Sequence, residues 1–252
     1  MRVVVVGGSG RIGARLVALL RERGDDAVAA SRRSGVDVVT GAGIDAALAG
    51  ADAVVDVSRS PSMAAPDALA FFTGATRTLI DAGKHAGVAH HVLLSVVGAR
   101  RLTGAGFLQA KVAQEELLAA SGLPYTVLAA TQFFGFATGI ADASTRVTSA
   151  GREVVLPDAP DQPVAEDDVA AALVTLLDEG PRNGLVELAG PEPMRLPRFV
   201  ATTLAAQDDP RRVVVDPSAT YFGATIVGDE LMPSPGTRLG TISYNAWLGA
   251  QR

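Results

Sequence analysis

Four valines, Val3 to Val6, run straight into Gly7-Gly8-Ser9-Gly10-Arg11-Ile12-Gly13, and this junction constrains the fold more than any other stretch of the chain. An apolar run that short reads as a buried strand. Glycines at 7, 10 and 13 permit a tight turn, close approach of backbone to a pyrophosphate, and close packing of a helix on the strand. The next residues, Ala14 to Leu20, have helical apolar spacing and reach a stop near Gly24. Backbone N–H groups at such a helix start converge on one anion. The pattern is a dinucleotide fingerprint, and Gly7, Gly8, Ser9, Gly10, Arg11, Ile12 and Gly13 are its cofactor-binding candidates.

Further apolar runs at 27–30, 53–57, 91–95 and 125–129 alternate with helix-like stretches at 12–22, 68–86 and 108–121, with a short crossover around 44–49. Gly83, Gly87 and Gly122 stand where helices are expected to stop, and Asp168 is placed to cap a helix over 169–177. A strand at 185–189, a helix at 196–206 and a strand at 212–215 follow. This alternation predicts an α/β fold: a Rossmann-like doubly wound parallel sheet with a small C-terminal α/β substrate-binding region. The expected division is an NAD(P)-binding core over 1–130 and a mainly substrate-binding region over 131–252, with some elements returning to the core. Segments 131–163 and 216–238, rich in Gly, Pro, Ser and Thr, have the composition of pocket walls and lids.

Composition narrows the function classes. With 48% hydrophobic residues in 252, the chain can bury a full core. It has no cysteine, which excludes disulfides, thiolate catalysis and sulfur-ligated metals and fits a cytoplasmic location. No run approaches membrane-spanning length and no basic leader precedes the first strand, so a soluble protein that is not exported is expected. A formal charge of -5, with no basic cluster longer than a pair, argues against direct nucleic-acid binding. His90 and His91 are adjacent and would point to opposite faces of a strand, and the acidic run Glu166 to Asp168 reads as a helix start, so no metal is expected.

The second strand ends Ala29-Ala30-Ser31-Arg32-Arg33, without the acidic residue that holds the adenosine ribose in NAD sites. Arg32 and Arg33, with Arg11, place guanidinium groups where an extra 2′-phosphate would lie, and the expected cofactor is NADP (NADPH). Asp56, closing the third strand, has two open readings: contact with the ribose, or a structural hydrogen bond. Phe107 and Lys111, four apart, share one face of a helix. Lys84 and Lys111 are the only lysines. Lys111 either holds the nicotinamide ribose or is a surface lysine pairing with Glu115.

The segments VVVVGGSGRIG (3–13), ASRR (30–33), HVLLSVVG (91–98), FLQAKVAQEELLAASGLPYTVLAATQFFGF (107–136), QPVAEDDVAAAL (162–173) and ELAGPE (187–192) resemble the short-chain dehydrogenase/reductase superfamily, within it the atypical NmrA-like branch. The resemblance covers nearly the whole chain, most loosely over 193–235. It implies a catalytic serine at the end of the fourth strand, matched by Ser95, and a Tyr-x-x-x-Lys pair, of which Lys111 matches the lysine. Phe107 stands where the tyrosine is expected. A phenyl ring cannot transfer a proton; it can shape the face where hydride moves and exclude water. Relatives often carry Gly-Asp near the adenine, where this chain has Gly41-Ala42.

Gln132, Phe133, Phe134 and Phe136 match the family segment bordering nicotinamide and substrate, and equally suit an apolar core. Tyr221 and Phe222 either close over ligand or pack; Tyr125 is expected to be structural. The leading expectation is an NADP-dependent oxidoreductase acting on a small apolar carbonyl or quinone-like compound. Lys111, Ser95 and Phe107 would form its catalytic group, and Phe107, Gln132, Phe133, Phe134 and Tyr221 its substrate pocket. The alternatives are a non-catalytic NADP(H)-sensing regulator with a protein partner, or an isomerase or lyase retaining bound nucleotide. A small-molecule substrate, no membrane contact, and a monomer or homodimer complete the expectation.

Overall fold

The computed structural model describes residues 1–149 and 151–251. In chain order the elements are β1 (Arg2–Val6), α1 (Arg11–Glu22), β2 (Asp26–Ala30), α2 (Ile44–Leu48), β3 (Ala53–Asp56), α3 (Ala65–Ala86), β4 (His90–Val96), α4 (Gly106–Ala119), β5 (Tyr125–Ala130) and α5 (Ala137–Ala143). There follow β6 (Thr145–Thr148), β7 (Gly151–Leu156), β8 (Pro160–Asp161), α6 (Glu166–Glu179), β9 (Gly184–Ala189), β10 (Met194–Arg195), α7 (Leu196–Ala206), β11 (Arg212–Val215), β12 (Arg238–Leu239) and α8 (Tyr244–Gly249). Short 3-10 turns occur at Arg32–Ser34 and Phe134–Phe136. The chain divides into two compact units: Met1–Ser95 with Gln109–Ala129 and Val169–Val186, and Val96–Leu108 with Ala130–Asp168 and the residues from Glu187 onward.

A seven-stranded parallel sheet runs in the order β12-β9-β5-β4-β3-β1-β2, so the expected Rossmann-like fold is present. β1 pairs with β2 on one side and β3 on the other, with Val3 opposite both Ala27 and Ala53. Chain direction across the sheet therefore reverses at β1. The C-terminal ends of β1 and β3 flank the topological switch point, where open α/β sheets bind ligands. Ile12, Leu16, Val17 and Leu20 form the buried stripe of α1. Val4, Val6 and Val54 of the sheet are buried with Ile44, Leu48 and Leu79 of α2 and α3, and a second cluster joins Leu93 of β4 to Ile80 and Leu118 of α3 and α4.

Several local expectations shift. Gly83 lies inside α3, which stops at Gly87, in the left-handed conformation with its N–H on the carbonyls of Gly83 and Lys84. After β2, Asp37 Oδ1 accepts the N–H groups of Val39 (2.8 Å) and Thr40 (3.3 Å) and turns the chain. Asp168 is not an N-cap: α6 begins two residues earlier, and Asp168 Oδ2 instead accepts from the backbone of Thr241 (3.1 Å) and Ile242 (3.0 Å). The second unit has more regular structure than its composition suggests, including a three-stranded sheet β11-β7-β6 and the pair β10-β8. Among the described residues no helix is long and apolar enough to cross a membrane.

Gly13 has no room for a side chain, since a Cβ there would come within 2.2 Å of the Gly7 carbonyl oxygen. Gly13→Ala is expected to lose about 3 kcal/mol or more, as overpacking of rigid backbone does. At this chain length that lowers Tm by roughly 6–12 °C in a thermal scan, and an unchanged Tm would contradict the packing described.

Candidate functional site

Gly7 turns the chain out of β1 with φ +81°, which an L side chain rarely adopts. Its N–H donates to the Ala30 carbonyl (2.9 Å) at the end of β2, and its carbonyl accepts Gly10 N–H at 2.8 Å. A Cβ on Gly7 would meet the Val57 carbonyl oxygen at 2.8 Å and Ser58 N at 3.0 Å, so the turn also lies against the loop after β3. No side chain caps α1, its first turn holds no acid, and Ser9, Gly10 and Arg11 are exposed. An uncapped N-terminus on an all-backbone cradle fits a pyrophosphate, which would accept from the amides and gain from the helix dipole.

At the end of β2 the chain enters the 3-10 turn Arg32–Ser34, fixed by Ser31 N–H donating to Ser34 Oγ (2.9 Å) and Ser34 Oγ donating to the Ala29 carbonyl (2.9 Å). Arg32 and Arg33 project from this turn into solvent, and neither side chain joins a hydrogen bond or ion pair among the described residues. No carboxylate occupies the strand end.

A buried polar chain links β3 to α4. Asp56, 2% exposed, accepts Ser58 N–H on Oδ1 (2.8 Å) and the Gln114 amide on Oδ2 (2.9 Å). Lys111 donates through Nζ to Gln114 Oε1, and its ammonium stands 4.5 Å from the centroid of the Phe72 ring. The alternative of a surface lysine on Glu115 is therefore set aside: Lys111 is 5% exposed and its hydrogen-bond partner is Gln114. Burial lowers the Lys111 pKa to about 8, partly opposed by the charges of Asp56 and Glu115. Burial likewise takes His91 to about 4, leaving it a neutral imidazole.

Ser95 also turns inward. Strand alternation puts it on the same face as Leu93, which packs with Leu118 of α4, and its hydroxyl donates to Glu115. Phe107 is half-buried in the first turn of α4, one turn before Lys111. Sequence reasoning did not single out Gln114. The available signal was its spacing: buried positions 108, 111, 114, 115 and 118 recur at helical intervals, and three of them are polar.

The second unit holds the remaining candidates. Phe134, 1% exposed, packs with Tyr244 (5.0 Å between centroids) and Trp247 (5.6 Å), so it belongs to an aromatic core, not a pocket wall. Phe133 and Phe136 are half-buried, Phe136 stacks on Phe222 at 5.8 Å, and Tyr221 meets Phe222 edge-on. Gln132 is buried, and neither atom of its amide has a hydrogen bond of good geometry, although the Tyr221 hydroxyl stands beside it. Burial, then the nearby charge of Asp161, pushes the Tyr221 phenol up. Asp161 is fully buried; Oδ1 accepts Gln162 N–H (2.7 Å) and Oδ2 has no partner among the described residues.

The NAD(P)H-binding family profile matches residues 7–180, from the glycine turn to the end of α6. The chain belongs to the NAD(P)H-binding family. No curated relative matches it. Among solved structures it is similar to a short-chain dehydrogenase/reductase superfamily protein from Agrobacterium tumefaciens with bound NAD, at 18% identity over 99% of this chain and 95% of that one, TM-score 0.71. It is similar also to MoeE5 in complex with UDP-glucose and NAD (20% identity, 100% and 97% of the two chains, TM-score 0.72). An Escherichia coli NADPH-dependent quinone oxidoreductase complexed with NADPH aligns at 21% identity over 85% and 77%, TM-score 0.61. These likenesses establish a Rossmann-like α/β fold similar to short-chain dehydrogenase/reductase structures.

Among the described residues Lys111 Nζ makes one side-chain hydrogen bond, to Gln114, of the three it can donate. Asp161 carries a second, opposite perturbation, because burial raises its carboxyl to about 8 from 3.8. Folded protein therefore binds one more proton than unfolded protein between those values, and its stability, full below pH 3.8, falls as pH rises to 8. Asp161→Asn keeps the acceptor for Gln162 N–H without the buried charge. The variant is expected to melt level with wild type at pH 4 and several degrees above it at pH 8; parallel melting curves at both pH values would refute the assignment.

Proposed function

We propose that this family member is a cytoplasmic NADP-dependent oxidoreductase of the NmrA-like type, acting on a small apolar carbonyl or quinone-like compound. The observation that carries the choice of cofactor is the pair Arg32 and Arg33, exposed and unpaired at the end of β2 where no carboxylate stands. A 2′-phosphate offers guanidinium groups a doubly charged, bidentate partner, whereas a free ribose hydroxyl does not. The amides of the glycine turn hold the pyrophosphate, Arg11, Arg32 and Arg33 the extra phosphate, and Lys111 the nicotinamide ribose.

Bound NADPH supplies a hydride. The protein's part is to orient and to exclude water, and Phe107, one turn from Lys111, has no proton to give. Quinone-like acceptors suit this arrangement, because reduction of a conjugated ring leaves charge on an oxygen that solvent can protonate. Gln132, Phe133 and Tyr221 are the proposed substrate-side residues, within the region from 131 onward. Phe107 equally favours a second reading, an NADP(H)-sensing regulator that does not turn over.

The double substitution Arg32→Ala with Arg33→Ala is expected to weaken NADPH binding by about 10- to 100-fold, the loss of one or two charge-assisted contacts, and to leave NADH binding within about threefold. Equilibrium fluorescence titration measures both. Equal losses for the two cofactors would overturn the NADP assignment. Substrate-dependent loss of absorbance at 340 nm across a panel of quinones supports an enzyme; tight NADPH binding without such loss supports the sensor.

A further inference from the structure

Gln114 is fully buried, yet both ends of its amide are committed: Nε2 donates to Asp56 Oδ2 at 2.9 Å and Oε1 accepts from Lys111 Nζ. An ionised carboxylate can only accept, and an ammonium can only donate, so the two neighbours dictate which way the amide lies. A flip would set NH2 against NH3+ and carbonyl against carboxylate. The other Asp56 oxygen holds Ser58 N–H at 2.8 Å, in the same loop whose backbone lies against Gly7. Glycine turn, post-β3 loop, Asp56, Gln114 and Lys111 thus form one continuous contact path inside the first unit.

We propose that Gln114 is a positioning residue that fixes the Lys111 ammonium through Asp56 and so couples it to the loop against the glycine turn. A direct Asp56–Lys111 ion pair would draw the ammonium onto the carboxylate. The interposed amide keeps the ammonium within the field of Asp56 but adds no charge, and two further Nζ protons remain for a ligand oxygen. Around the Lys111 ammonium stand Phe72 from α3, Asp56 from β3, and Gln114 and Glu115 from α4. Asp56 and Glu115 are the charged groups among them. The proposal rests on the reading that Lys111 holds the cofactor, and its test separates the two.

Because the chain has only two lysines, 13C labelling at lysine Cε gives one signal from Lys111 and one from exposed Lys84 as an internal reference. The wild-type Lys111 signal is expected to titrate near 8. Gln114→Leu removes the acceptor and is expected to lower the midpoint by about one unit or more, while Gln114→Glu raises it. NADPH affinity of Gln114→Leu should fall about tenfold at pH 8 and less than about threefold at pH 6, where the ammonium is charged in both proteins. Gln114→Asn, which keeps the amide but shortens its reach, gives the same direction if the leucine variant does not fold.

Identical Lys111 midpoints in wild type and variants would overturn the positioning role. A displaced midpoint with unchanged NADPH affinity supports that role and removes Lys111 from the cofactor site.

Discussion

Gly13 and Gly7 touch backbone to backbone, and most of the candidate cofactor site depends on that contact. With a side chain at position 13 the first turn of α1 could not reach the end of β1, and the amides of the turn would not converge. The same turn, through Gly7, lies against Val57 and Ser58 and so fixes where the chain leaves β3. Asp56 then anchors that exit with one oxygen and Gln114 with the other. A constraint imposed by missing side chains is passed on, through one carboxylate, to a buried amine on α4.

The parts of this arrangement that depend on periodicity were legible in sequence. β1, the glycine turn and α1 follow from four valines, spaced glycines and the 12-16-17-20 stripe, and the bare end of β2 follows from reading Ser31-Arg32-Arg33 in register with it. Orientation was not legible. Ser95, Lys111 and Glu115 were each visible, but only the packing of Leu93 with Leu118 shows that Ser95 faces α4 and meets Glu115 there. Asp168 looked like a cap because the acidic run fits any helix start; its partners, Thr241 and Ile242, lie more than seventy residues on and leave no local trace. Phe134 suited a pocket and a core equally, and Tyr244 and Trp247, on the short helix α8, decide for the core.

Burial shifts Lys111 and Asp161 in opposite senses. The Lys111 cation is made less favourable by desolvation and is partly restored by Asp56 and Glu115, so its charge depends on neighbours that never leave the interior. Asp161, with only a backbone N–H to stabilise its anion, keeps its proton instead. The difference is the number of compensating groups, since both residues are almost wholly enclosed. An amine kept near its titration range is a sensitive reporter of small displacements of Gln114, in a way that an exposed lysine would not be.

In the proposed oxidoreductase, Phe107 marks the point where holding a cofactor and using it come apart. An oxygen acid one turn before Lys111 would be polarised by the ammonium, which is the reason for placing the two at that spacing. With a phenyl ring there the ammonium has no acid to activate, and its effect is confined to position and charge. Under the proposed function, a lysine with no acid at position 107 suits acceptors whose developing negative charge is spread over a conjugated system, because they need a nearby cation more than a proton donor. An acceptor that must gain a proton at one atom as hydride arrives would find no partner on this turn of α4.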